Sequence, residues 1–179
     1  MEDPADPFQL ERFLEAQRET YDTALTELQA GAKQSHWMWF IFPQLAGLGR
    51  SPTAIFYGLR SLHEARAFLA HPILGERYRE CVRALSGWAG SKSAAEMLGD
   101  IDAMKLRSSL TLFENASGDP LFADALEAYA RDPDLRRRHG NAGLEIAKTM
   151  DWDTINAAVI RTYKHAIVKR GRLARMTGR

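Results

Sequence analysis

Two segments of this chain carry side chains that can do chemistry. The first is Lys33-Gln34-Ser35-His36-Trp37-Met38-Trp39-Phe40-Ile41-Phe42-Pro43-Gln44, which sets two tryptophans and two phenylalanines beside a lysine, a histidine and glutamines. Aromatic faces stack flat rings, while the ammonium, imidazole and amide groups hydrogen-bond a ring's edge. His36 is the residue here that can serve as a general base near neutral pH. The apolar run from Trp37 to Phe42 reads more readily as core packing, with His36 and Lys33 merely flanking it. The second segment spans Asp102 to Phe113. Its Leu106, Leu110 and Phe113 step by four and three as a core stripe, and Asp102, Lys105 and Ser109 form a polar line on a neighbouring helical face. Ser108, Ser109 and Thr111 are poor helix formers placed mid-helix, a conflict between propensity and position that functional sites carry. Lys105 can neutralise a phosphate or carboxylate with these hydroxyls as further donors. The alternative is a solvated face holding an exposed ion pair.

Other sites are weaker. Gly47-Leu48-Gly49-Arg50-Ser51 precedes a helix start, where backbone amides favour anions, but it follows no strand and matches no dinucleotide or P-loop pattern. His71 before Pro72 reads as a helix-closing cation, and Cys81 as a buried, inert thiol. The single cysteine excludes an intramolecular disulfide and a cysteine-based zinc cluster. The five histidines show no metal-ligand spacing, so neither metal nor cofactor is expected.

The elements that must position these groups read as helices nearly throughout, an all-α fold. One long amphipathic helix is expected from Phe8 to Ala30, capped by Asp6-Pro7 and stopped by Gly31. Ser51-Pro52 opens Ala54 to Leu59, and Ser61 with Glu64 and Ser93 with Glu96 are capping boxes. Ile73 to Trp88 turns Leu74, Tyr78, Cys81, Val82 and Leu85 to one face. Asp102 to Phe113 and Leu121 to Ala130 follow. The apolar run at Trp37 is read as a buried helical turn with Ser35 as its cap, because no second strand is available to pair with it. Two further helices are expected in the tail, Asp134 to Lys148 and Thr154 to Lys169.

At 179 residues, 45% hydrophobic and 26% charged, the chain suits one soluble domain with an appendage. No run approaches the roughly 20 apolar residues of a membrane span. Met1-Glu2-Asp3-Pro4 lacks the features of a secretory signal, so a cytoplasmic protein is expected. Charge divides the chain. Acid predominates in residues 1–130, whereas residues 131–179 are basic and hold no acid after Asp153. The expectation is a compact multi-helix globular domain over 1–130 with a basic helical extension over 131–179. The tail's few aromatics argue against stacking readout of nucleic acid.

Residues 8 to about 129 resemble the bacterial family known as domain of unknown function 1810. The resemblance rests on Phe13, Tyr21, the run Lys33 to Gln44, Gly47-Leu48-Gly49-Arg50-Ser51, Leu69-Ala70-His71-Pro72, Leu74-Gly75, and Asp102 with the string Lys105 to Phe113. It implies a mostly helical fold and supplies no catalytic residue. The tail, from Asp132 through Trp152 to Tyr163, is similar to the closing helices of a two-domain glycosyltransferase, without the nucleotide-sugar domain such an enzyme needs. Two functions remain open. One is a pocket for a small anionic or nucleotide-like ligand, built from Lys33, His36, Trp37, Trp39, Gln44, Asp102, Lys105, Ser108, Ser109 and Thr111. The other is a non-catalytic protein-interaction module. The first requires the two segments to lie within about 10 Å of each other, the reach of one ligand.

Overall fold

The helix signals become nine helices across residues 6–130, the residues that this computed structural model describes. Asp6 opens the first by accepting the amides of Leu10 (2.8 Å) and Glu11 (2.9 Å). The expected single helix to Ala30 is two: α1 (Glu11–Gln17) and α2 (Tyr21–Ala30). The break has a local cause. Thr20 Oγ1 donates back to the Ala16 carbonyl, competing with the helical ladder. Gln17 is drawn into the core, where its amide donates to the Phe40 carbonyl at 2.8 Å. Gly31, at φ +63°, then closes α2 in the left-handed region, and a Cβ there would meet the Trp88 ring at 2.8 Å.

The apolar run forms α3 (Met38–Ile41), one buried turn. Ser35 does not cap it; Ser35 is held by Glu27 instead. Next come α4 (Pro52–Phe56), capped by Ser51 Oγ on the Ala54 amide at 3.1 Å, and α5 (Leu62–Ala70), capped by Ser61 on the Glu64 amide at 3.1 Å. Glu64 does not complete a capping box. Its carboxylate accepts the Arg60 amide (2.8 Å) and the guanidinium of Arg12 (2.7 Å), a buried pair that ties α1 to α5. His71 closes α5 as expected, its backbone N–H donating to the Ala67 carbonyl at 3.0 Å. Its side chain does something further: Nδ1 accepts the amides of Ile73 (3.2 Å) and Leu74 (3.3 Å), so the same residue opens α6 (Leu74–Ser86). A full box, Ser93 with Glu96, starts α7 (Ala94–Leu98), and α8 (Asp100–Ser117) and α9 (Pro120–Ala130) complete the described chain.

The core lies where α5, α6, α8 and α9 meet. Tyr78 sits 4.3 Å from Phe113 and 5.3 Å from Phe122 between ring centroids, and Phe68 lies 5.3 Å from Phe113. All four rings are buried. The Cys81 thiol lies on the same face of α6, and burial pushes it up to about 12, an inert thiol. Among the described residues there is no strand, only an isolated parallel bridge between Leu45 and Leu59. None of these helices is long and apolar enough to cross a membrane. The expected extension over 131–179, with its glycosyltransferase-like helices, lies outside the described residues.

Candidate functional site

Asp102 and Lys105 stand one turn apart on α8, and Lys33 comes from the connection between α2 and α3. The Lys33 amide donates to the Met97 carbonyl at 2.8 Å, which fastens this connection to α7. Lys33 and Lys105 each place an ammonium 2.8 Å from a different oxygen of Asp102. The three side chains are only 12%, 22% and 16% exposed, respectively, so water screens the triad less than a surface pair. Burial alone would raise the Asp102 carboxyl. Hydrogen bonds from Lys105 and Lys33 outweigh it and hold the group below the ordinary carboxylate range. Both cations also lie against indoles: Lys105 Nζ is 4.6 Å from the Trp39 ring centre and Lys33 Nζ is 5.2 Å from that of Trp37.

A second carboxylate organises the aromatic segment from behind. Glu27 accepts the amides of Gln34 (2.8 Å) and Ser35 (3.1 Å), the Ser35 hydroxyl (2.7 Å) and the Trp37 indole N–H (2.8 Å). Burial opposes its ionisation, but these donors prevail and bring its carboxyl down to about 2. The expected site residues therefore separate. Trp37 is wholly buried and Ser109 is too, the latter paired with the Tyr78 hydroxyl at 3.0 Å; both support the site from inside. Trp39 and Gln44 are half-buried, Ser108 is half-buried, and His36 and Thr111 are exposed. The Gln44 backbone carbonyl accepts the Leu59 amide at 2.9 Å.

Farther along α8, Ser108 and Thr111 line an open groove of about 440 Å³. Its apolar side is Leu45, Leu48, Leu62 and Leu112, and Arg107 and Asn115 complete its polar side. Ser108 follows Lys105 by one turn, so the triad and the groove occupy successive turns of one helix. Sequence reasoning on Asp102, Lys105 and Ser109 missed Arg107 and Asn115, although Arg107, Thr111 and Asn115 step by four along a second polar line. Leu48 was missed too: Gly47 at φ +94° turns the chain ahead of α4, and Leu48 is left 61% exposed at the groove.

A family model described as protein of unknown function (DUF1810) matches residues 7–137. Among solved structures, the conserved hypothetical protein Rv1873 from Mycobacterium tuberculosis is 45% identical, with a TM-score of 0.68; the match covers 74% of this chain and 94% of that one. No curated protein matches the chain.

Proposed function

The chain belongs to the DUF1810 family of unknown function, and on that premise we propose that it binds a small anionic, nucleotide-like ligand between the aromatic segment and α8. What carries the reading is the meeting of Lys33 and Lys105 on one carboxylate, with Trp39 against Lys105. Segments about seventy residues apart in sequence thereby come within the reach of a single ligand. Asp102 fixes the direction of both ammoniums and leaves the trio one positive charge in excess. A ligand anion would meet that excess, and its ring would find the half-buried face of Trp39. His36, exposed at the start of the same segment, is the group available to read the ligand's edge.

The test is a thermal-shift screen of anionic metabolites on the full chain, repeated on Lys105→Ala. A ligand held at a hundred times its Kd stabilises a protein by about 2.7 kcal/mol. We expect at least one nucleotide-like anion to raise the melting temperature, and Lys105→Ala to abolish that rise. A screen without response, or one in which every response survives Lys105→Ala, counts against the site.

A second reading, a non-catalytic interaction module, is favoured by the exposed Leu48, Ile55 and Phe56, which lie close together in the chain. It expects Ile55→Asp to abolish association with a protein partner while leaving every small-ligand response intact.

A further inference from the structure

Along the wall that α8 gives to the groove, the neutral polar groups have already spent their protons. Ser108 Oγ donates to the Met104 carbonyl at 3.1 Å and Thr111 Oγ1 to the Arg107 carbonyl at 2.8 Å. The Asn115 amide donates to the Thr111 carbonyl at 2.8 Å and to Glu114 Oε2 at 3.0 Å. These are bonds that short polar side chains make to their own helix. They correct the expectation that the hydroxyls serve as donors. What Ser108, Thr111 and Asn115 offer outward is oxygen lone pairs. Arg107 is the donor of this wall. It is exposed, and among the described residues its guanidinium makes no ion pair or hydrogen bond.

The groove thus asks three things of a ligand. The leucines ask for an apolar or flat body, the oxygens for N–H or O–H donors, and the guanidinium for an anion it can grip with two parallel bonds. A fatty acid brings the body and the anion but no donors beside them. A sugar phosphate brings donors and anion but no apolar face. A nucleotide whose base carries an exocyclic amine brings all three, and about 440 Å³ lies within the usual size of small-molecule sites, roughly 300–1,000 Å³. Going beyond the reading at Asp102, we infer that the groove on the next turns of α8 seats an aminopurine nucleotide, its base on the leucines, its amine toward the oxygens of Ser108, Thr111 and Asn115, and its phosphate on Arg107.

The experiment is calorimetric titration of the full chain with adenosine monophosphate, adenosine, and purine riboside monophosphate, which lacks the amine. Adenosine monophosphate is expected to bind about tenfold more tightly than adenosine and about fivefold more tightly than the riboside phosphate, differences of the size set by single well-placed contacts. Arg107→Gln should bring the nucleotide down to the level of adenosine. Thr111→Val should shrink the preference for the amine. Both positions are exposed, so both variants should fold, which their melting curves will check. Equal binding of the two phosphates, or a preference over adenosine that survives Arg107→Gln, overturns the inference. Binding lost in Lys105→Ala and kept in Arg107→Gln also overturns it, while leaving the reading at Asp102 standing. If none of the three binds, the inference falls, and the wider screen alone decides the reading.

Discussion

At the residue scale, two carboxylates do most of the positioning. Glu27 gathers four donors from Gln34, Ser35 and Trp37, and the Trp37 ring behind it is wholly buried. Removing the acceptor would leave a buried indole N–H unpaired. Glu27→Ala should therefore cost about 1–3 kcal/mol in chemical denaturation, the price of one buried unsatisfied donor and its neighbours. A loss below about 0.5 kcal/mol, typical of a surface change, would show that the turn holds without it. His36 presents the opposite case. It is exposed, and its replacement by Ala should leave the melting temperature nearly unchanged while reducing any ligand-induced shift. A clear destabilisation with the ligand response intact would remove it from the site. The residue chemistry was only partly legible in the sequence. Asp102 with Lys105 is visible as a three-residue step, whereas Lys33, the second partner of Asp102, is distant in sequence and is brought there by packing.

At the element scale, α8 is both the wall of the core and the wall of the groove. Its stripe of Leu106, Leu110 and Phe113 is buried as the spacing predicts, and Phe113 touches rings from α5, α6 and α9. Phe113→Ala should cost about 3–5 kcal/mol, read from denaturant midpoints, because three rings would lose a shared neighbour. Gly75 is a sharper test of how α5 and α6 meet. A Cβ there would lie 2.0 Å from the Leu69 carbonyl oxygen, a backbone atom that cannot swing aside. Gly75→Ala should destabilise by about 1–3 kcal/mol despite the better helix propensity of alanine; a neutral or stabilising effect would show that the two helices separate freely. Apolar spacing and capping residues predict α5 to α9 because those signals are local. The break between α1 and α2 is not wholly local, since it also depends on Gln17 reaching Phe40, and periodicity runs straight through it. The second role of His71, though local, was hidden as well. Which nitrogen of an imidazole faces which amide is a matter of chain direction after Pro72, and composition does not encode it.

For the whole molecule, the two organising carboxylates set how stability responds to acid. Glu27 is held at about 2, well below its ordinary value of 4.5, and Asp102 is held below 3.8. Each therefore binds a proton more readily in the unfolded chain than in the native one. The sign follows: stability rises with pH wherever the unfolded state holds more protons. These two contributions are fully present above about pH 4.5 and are lost as the pH falls toward the folded-state values. Carboxylates with the same affinity in both states add nothing to this slope. A chain carrying Glu27→Gln and Asp102→Asn together should thus melt lower than the wild type at pH 6, and the gap should close as the pH approaches 2. Thermal unfolding from pH 2.5 to 7 checks this on the intact chain. A gap that stays constant across the range would mean that the variants remove packing or hydrogen bonds alone, and that the charge of the two groups contributes no pH-dependent stability. A closing gap would tie the arrangement of the aromatic segment against α8 to ionisation, so ligand titrations belong above pH 5, where both carboxylates are charged and the two lysines are held in place.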